Sequence, residues 1–424
     1  MKRDERREIL VYADWEAFDE PTLMGTLYST LSKGKELFSF QYDENWLGLK
    51  QARAIDPDLQ LYVGTQYLNE GKSNFGIFLD SSPDRWGRLL MRRREAALAR
   101  KEERKAKTLF ESDYLLGVYD ENRMGGLRFK LDAEGSFMDN NAKMSAPPWT
   151  ALRDLEYASL QLERDDAPND PEYLDWLNML MAPGSSLGGG RPKANVLDTD
   201  GSLWIAKFPS GNDDKDIGAW EMLVHQLALN CGITMAECRV QKLSHHQHTF
   251  LTKRFDRATN GSRIYFASAM TLLGYTDGTD HQDGASYLEM IEFLMQNGAN
   301  IDEDLKQLWM RIVFNICVTN TDDHLRNHGF ILTDNGWVIS PAYDINPIEN
   351  GNGLKLNINE DDNSQNVDLA LEVAPYFRIE EKEANQIVDS IVQTVASWKT
   401  IAIDLGISRN EAERMDGCFL TEKE

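Results

Sequence analysis

Asn320-Thr-Asp-Asp-His-Leu-Arg-Asn327, with Tyr343-Asp344 just downstream, is the stretch on which the reading of this chain turns. Asp322 stands five residues before the amide Asn327, and a second carboxylate, Asp344, follows a segment patterned as a β-hairpin. Transfer of the terminal phosphoryl group of ATP uses such a set. One carboxylate orients the attacking hydroxyl and accepts its proton, while an Asn and a second Asp hold Mg²⁺ on the phosphates. The Asp-to-Asn step equals that of the H-R-D-x-x-x-x-N catalytic loop. A spacing alone says little, so the rest of the chain has to supply a phosphate loop and a lysine.

On either side of this stretch the periodicity changes. Leu305 to Thr319 repeats its apolar residues at the helical spacing and runs straight into Asn320, and Tyr287 to Gln296 has the same period. Downstream, Gly329–Leu332 and Trp337–Ser340 flank Thr333-Asp-Asn-Gly336, a hairpin signal that returns Asp344 toward Asn327. The tail, including Lys382 to Ala396, is helical in pattern.

Further upstream lies Pro183-Gly-Ser-Ser-Leu-Gly-Gly-Gly-Arg-Pro-Lys193. Its glycines suit backbone amides turned toward an anion. It is neither a Walker A loop nor G-x-G-x-x-G, and a flexible linker has the same composition. Its context is more specific. A short strand, Ala194 to Leu197, the turn Asp198-Thr-Asp-Gly201, and the strand Ser202 to Phe208 follow, with one lysine, Lys207, among apolar neighbours. A lysine there needs an anion or a place on the wet face of the hairpin. Glycine loop, strand, turn and lysine-bearing strand follow the order of a kinase N-lobe. Ala219 to Asn230 is an amphipathic helix in which Glu221 is either the partner of that lysine or a surface glutamate. Cys238–Leu243 and Thr249–Phe255 form a second hairpin pattern around Ser244-His-His-Gln-His248. No nearby Cys or carboxylate completes a metal site there. Lys253-Arg-Phe255 falls where a hinge would offer backbone groups to adenine.

The N-terminal part reads as β-rich, with strands over Ile9–Trp15, Gly25–Tyr28 and Glu36–Tyr42 and a turn at Ser32-Lys-Gly34. A very basic helix over 85–107 carries ten Lys or Arg, as a solvated face or as a docking surface for an acidic partner or for DNA held by a partner. Residues 131–150 have linker composition, and helices are expected over 151–163 and 171–181. With 45 Lys and Arg against 69 Asp and Glu, the formal charge of −24 excludes a protein whose main surface grips nucleic acid. Four scattered cysteines, a charged N-terminus and the absence of a long apolar run predict a cytoplasmic protein with no membrane contact.

Taken together these segments resemble the HipA family of bacterial toxin kinases. The likeness runs through Phe75-Gly-Ile-Phe78, Ser82-Pro-Asp-Arg-Trp-Gly-Arg88, Tyr114-Leu-Leu-Gly117, Met124-Gly-Gly-Leu-Arg-Phe129 and Ser186-Leu-Gly-Gly-Gly-Arg-Pro-Lys193. It continues through Lys253-Arg-Phe-Asp-Arg257, Asn320 to His328 and Pro341-Ala-Tyr-Asp344. The resemblance implies an α+β, two-lobed protein-kinase-like fold with an extra N-terminal β-rich subdomain (1–145), a kinase N-lobe (146–275) and an all-α C-terminal lobe (276–424). It implies an ATP- and Mg²⁺-dependent serine/threonine protein kinase. Asp322 is then the catalytic base, and Asn327 and Asp344 are metal ligands. Lys207 is the phosphate lysine, and Gly188, Gly189, Gly190, Arg191, Pro192 and Lys193 are the phosphate loop. Lys253, Arg254 and Phe255 line adenine through backbone atoms, with His324 and Tyr343 near the nucleotide.

The resemblance also implies autophosphorylation at Ser186, with Ser185 as the neighbouring alternative, which would eject the loop and silence the kinase. It implies a HipB-like helix-turn-helix antitoxin through which the chain meets operator DNA only indirectly. The implied substrate is an aminoacyl-tRNA synthetase, the glutamyl enzyme first. Two other functions fit the sequence: a nucleotide-binding co-repressor without kinase activity, and a lipid or small-molecule kinase.

Overall fold

The period of two in β1 (Arg6–Ala13) turns Ile9, Val11 and Ala13 into the core and leaves Leu10 and Tyr12 on the other face. With β2 (Thr22–Ser32), β3 (Lys35–Tyr42), β4 (Thr65–Tyr67) and β5 (Leu127–Lys130) it forms an antiparallel sheet in the order β4-β3-β2-β1-β5. The turn expected at Ser32-Lys-Gly34 is present. Lys33 and Gly34 both have positive φ, 50° and 80°, as a two-residue primed hairpin turn requires. The computed structural model describes residues 6–69, 71–141, 145–181 and 189–422. They fall into two compact units.

The first unit comprises residues 1–211, 253–267 and 274–276. Besides the five-stranded sheet it holds short helices α1 (Glu44–Leu47) and α2 (Gly76–Asp80), the long α3 (Arg85–Lys101) and α4 (Glu111–Leu116). The basic helix expected over 85–107 is shorter than the charge run. Glu103 takes a left-handed φ of 53° and the Arg104 N–H bonds the Ala99 carbonyl, which closes α3 in a Schellman turn. Several of its cations are internal ties. Arg88 holds Glu111 at 2.6 Å, Arg93 donates to the Leu162 carbonyl, Arg94 to Asn178, and Arg104 binds Glu95. α5 (Leu152–Leu162) and α6 (Tyr173–Met181) stand where the sequence predicts them. β6 (Lys193–Leu197) and β7 (Leu203–Lys207) form the expected hairpin, and Gly201 at φ 83° serves its turn.

The unit is closed by a segment distant in sequence. Arg254 donates to the carbonyls of Asn122 and Arg123, Arg257 to those of Glu121 and Arg123, and Arg263 to those of Asp120 and Arg123. Asp256, fully buried, accepts from Arg254, Arg257 and the Gly125 N–H. The converging guanidinium groups hold its carboxyl far below the usual range against the opposing push of burial.

The second unit comprises residues 212–252, 268–273 and 277–424. It contains α7 (Ile217–Asn230), β8 (Cys238–Lys242) paired with β9 (His248–Lys253), the end of β10 (Phe266–Ser268), and α8 (Ala269–Leu272). α9 (Tyr287–Asn297), α10 (Ile301–Cys317) and the β11 (Gly329–Thr333)–β12 (Gly336–Ile339) hairpin follow. α11 (Val367–Val373), α12 (Glu381–Val395), α13 (Trp398–Asp404) and α14 (Arg409–Met415) complete it. α10 is its axis: from Leu305 onward nearly every residue is buried, and the Trp309 indole donates to the Ala370 carbonyl. From α9 onward the only strands among the described residues are those of this hairpin, which the sequence itself signals and which an all-α lobe would lack, and residues 340–366 form neither helix nor strand. Among the described residues no helix is long and apolar enough to cross a membrane.

Candidate active site

α10 ends at Cys317, and Thr319, at a left-handed φ of 52°, turns the chain into the loop. Asn320 is fully buried. It donates to Asn315 on α10 at 3.0 Å and accepts the Asn346 N–H at 3.3 Å. The two aspartates that follow are sorted by burial. Asp323 is 2% exposed and accepts from the Tyr287 hydroxyl and from Asn315 at 2.7 Å, with His328 Nε2 lying 2.8 Å away. Asp322 is exposed. One carboxylate therefore anchors the loop, and its neighbour is presented by it.

A 3₁₀ turn, Leu325–Asn327, ends the loop. Its N-cap is His324, whose carbonyl accepts the Asn327 N–H and whose own N–H meets the Asp322 carbonyl. Asn327 is buried and donates its amide to the Asp322 carbonyl at 3.0 Å, while its Oδ1 meets no donor among the described residues. The hairpin then returns the chain as predicted: the Tyr343 hydroxyl donates to the carbonyl of Arg326, next to Asn327, at 2.7 Å. Asp344 follows at a left-handed φ of 57°, and the Asn346 amide lies 3.4 Å from its carboxylate. An amide oxygen without a donor and a carboxylate are oxygen ligands of the kind a hard cation takes, with its remaining ligands from phosphates and water. Asn327 and Asp344 fit Mg²⁺ on that ground. No group of three or more His, Cys, Asp or Glu gathers as a metal site among the described residues.

The other predicted residues belong to the first unit. Gly189 has a φ of 85° and its carbonyl lies 3.4 Å from the Lys193 ammonium, while an added Cβ at Gly190 would meet no atom among the described residues. Arg191 reaches the Phe208 carbonyl at 3.4 Å, and the Pro192 carbonyl accepts the Phe208 N–H. Lys193 is buried and its ammonium lies 2.8 Å from Asp84, the N-cap of α3, which is buried too. The Trp86 indole caps the Lys193 carbonyl at 3.2 Å. Lys207 is half-buried at the end of β7, directly across the hairpin from Lys193. Lys253 lies over Trp204 at 6.0 Å, and Phe255 is 5.7 Å from Phe266. Arg254 is committed to the buried network described above. Gly188, Ser185 and Ser186 lie outside the described residues. A cavity of about 460 Å³ opens in this unit between the Asp200–Ser202 turn, Tyr119 and Arg257. Of the predicted nucleotide residues it takes only Lys253 and Arg254.

Sequence pattern assigns no site role to Asp84, Tyr287, Asn315, His328 or Asn346, and the spacing to Asn327 sets Asp323 aside in favour of Asp322. For Asp84 and Asp323 a signal existed: a carboxylate beside a turn into a helix, and one beside a candidate base. For Tyr287 and Asn315 there was none, because helical periodicity marks them only as core.

A solved structure of the Shewanella oneidensis MR-1 toxin–antitoxin system HipA, HipB and its operator DNA complex matches with a TM-score of 0.67. The match covers 97% of this chain and 94% of that one at 14% identity, which establishes a common fold. Among curated proteins, "Putative kinase Y4mE" of Sinorhizobium fredii is 26% identical over 182 residues, covering 38% of this chain and 41% of the relative. A "Putative kinase" of Haemophilus influenzae is 26% identical over 107 residues, covering 24% and 31%. The matched region spans less than half the length of either relative. The family model described as HipA-like C-terminal domain matches residues 185–399, just over half of the chain. This α+β protein, whose C-terminal half is built around the loop from Asn320 to Asn327, therefore belongs to the HipA-like family.

Proposed function

We propose that this protein is a HipA-type toxin kinase that transfers the γ-phosphoryl group of ATP to a serine or threonine hydroxyl of a protein. The carrying observation is the sorting of the adjacent aspartates: Asp323 is taken up by Tyr287 and Asn315, with His328 beside it, and Asp322 is left exposed on a loop clamped by Asn327. Asp322 accepts the proton of the attacking hydroxyl. Asn327 Oδ1 and the Asp344 carboxylate hold Mg²⁺, and Lys207 meets the phosphates. The metal, when bound, offsets charge on the transferring group. The backbone amides from Gly188 to Gly190 serve as the phosphate loop. Lys193, tied to Asp84, fixes the exit of that loop. Lys253 to Phe255 offer backbone groups to adenine.

The same reading extends to regulation and partners. Ser186, or Ser185 beside it, is the autophosphorylation site, where added negative charge opposes the ATP phosphates. A HipB-like helix-turn-helix protein is the antitoxin and carries the contact with operator DNA; the Shewanella complex contains HipA, HipB and operator DNA together. An aminoacyl-tRNA synthetase, the glutamyl enzyme first, is the substrate, and the site of action is the cytoplasm. Labelled ATP tests the core of this. Purified protein with Mg²⁺ should label itself at Ser185 or Ser186, or label a synthetase, and Asp322→Asn should not. A wild-type protein that binds ATP and labels neither overturns the proposal in favour of a silent nucleotide-binding co-repressor.

A further inference from the structure

Arg311, on α10, is 2% exposed. Its Nη2 donates to the Ser340 carbonyl at 2.6 Å, while Nε and Nη1 meet no acceptor among the described residues. Burial pulls the guanidinium down to about 10 from its usual value, with Tyr343 and Asp304 acting the other way. A cation so poorly matched is expensive where an apolar side chain of the same volume would pack, which points to a duty in placement.

What Arg311 grips is the start of Ser340-Pro-Ala-Tyr-Asp344. The Ala342 N–H donates to the Thr234 carbonyl at 2.8 Å, and the Tyr343 hydroxyl to Arg326 at 2.7 Å. The segment is thus pinned at three successive points, and the last pin joins it to the turn that carries Asn327. Asp344 then sits at φ 57°, a conformation that a non-glycine residue keeps only when its surroundings impose it.

We propose that Arg311 is a positioning residue for Asp344: by fixing Ser340, and with the Tyr343 hydroxyl, it sets the separation of the Asp344 carboxylate from Asn327 Oδ1 that a metal ion needs. This rests on the kinase reading only for the metal assignment. Arg311 itself touches neither metal nor substrate.

The test is Mn²⁺ binding, by calorimetry, to the full-length protein with a non-hydrolysable ATP analogue. Arg311→Met is expected to weaken Mn²⁺ about 10- to 100-fold, as loss of a group that orients a ligand does. Binding of the analogue in EDTA should be unchanged, and Arg311→Lys, which can still hold one carbonyl, should recover part of the loss. If Arg311→Met does not fold, Arg311→Gln, which keeps an amide donor in place of the guanidinium, should weaken Mn²⁺ in the same direction. Folded variants that bind Mn²⁺ as the wild type does overturn the proposal, and so does an equal loss of analogue binding in EDTA. A wild type that binds Mn²⁺ in this way but transfers no phosphoryl group sinks the kinase reading and leaves the clamp standing.

Discussion

Asp322 and Asp323 have the same side chain and opposite surroundings, so their substitutions should fail in different ways. Asp322→Asn removes an exposed carboxylate, the proposed base. Phosphoryl transfer is expected to fall by about 10²- to 10⁴-fold, with ATP affinity and melting temperature near wild type, as initial rates and calorimetry would show. Asp323→Ala strips a buried acceptor from Tyr287 and Asn315. The expected cost is about 2–4 kcal/mol of stability, read by urea denaturation. Lys193→Met likewise leaves Asp84 buried and unpaired, at a cost of about 3–5 kcal/mol. A Lys193→Met protein of wild-type stability would show that the pair does not hold the loop exit. The spacing to Asn327 already favours Asp322 over Asp323. Burial gives the physical reason, and burial is invisible in two adjacent identical letters.

At the scale of elements, α10 and the β11–β12 hairpin set the geometry of the loop between them. Both are legible, the helix from its 3.6-residue period and the hairpin from Thr333-Asp-Asn-Gly336. What the pattern does not show is how tightly the turn is packed. Gly336 has φ 135°, and an added Cβ would come within 2.6 Å of the Asn297 carbonyl at the end of α9. Gly336→Ala is therefore both strained and obstructed, and should cost more than the ~1 kcal/mol of an unobstructed glycine substitution at positive φ. The hairpin leads directly to Asp344, so the Mg²⁺ concentration needed should rise as the melting temperature falls. An unchanged metal requirement in a destabilised variant would separate the hairpin from the site. The basic helix shows the opposite failure of sequence reading. A charge run has no period of its own, so the end of α3 was set by a left-handed Glu103 and an Ala99–Arg104 bond that composition does not encode.

Over the whole molecule, stability should depend on groups far from the loop. Burial pushes the Asp56 carboxyl up to about 6, against two backbone N–H bonds and Lys72. A carboxyl raised in this way binds its proton more tightly folded than unfolded. Its contribution is complete below pH 4 and is lost as the pH rises through 6, by about 3 kcal/mol in all. Denaturation measured from pH 4 to pH 7 should show that loss, and Asp56→Asn should flatten the slope over this window. Asp256 has the opposite sign. Held low by Arg254 and Arg257, it stabilises at neutral pH and fails only in strong acid. Asp256→Asn should cost about 3–5 kcal/mol at pH 7 and loosen residues 253–263 from residues 120–125, seen as faster amide exchange in both.

The sequence by itself determined the elements, their order and the family. Periods of two and 3.6, glycine turns and the motifs from Phe75 to Asp344 are local, and local sterics and burial act on them directly. Tertiary structure alone decided which aspartate is tied down, where Lys193 points, that Arg254 is spent on a buried network, and how Arg311 and Tyr343 hold the approach to Asp344. Each of these depends on a partner tens to more than a hundred residues away or on a backbone carbonyl, and no spacing rule records what a folded chain brings within 3 Å.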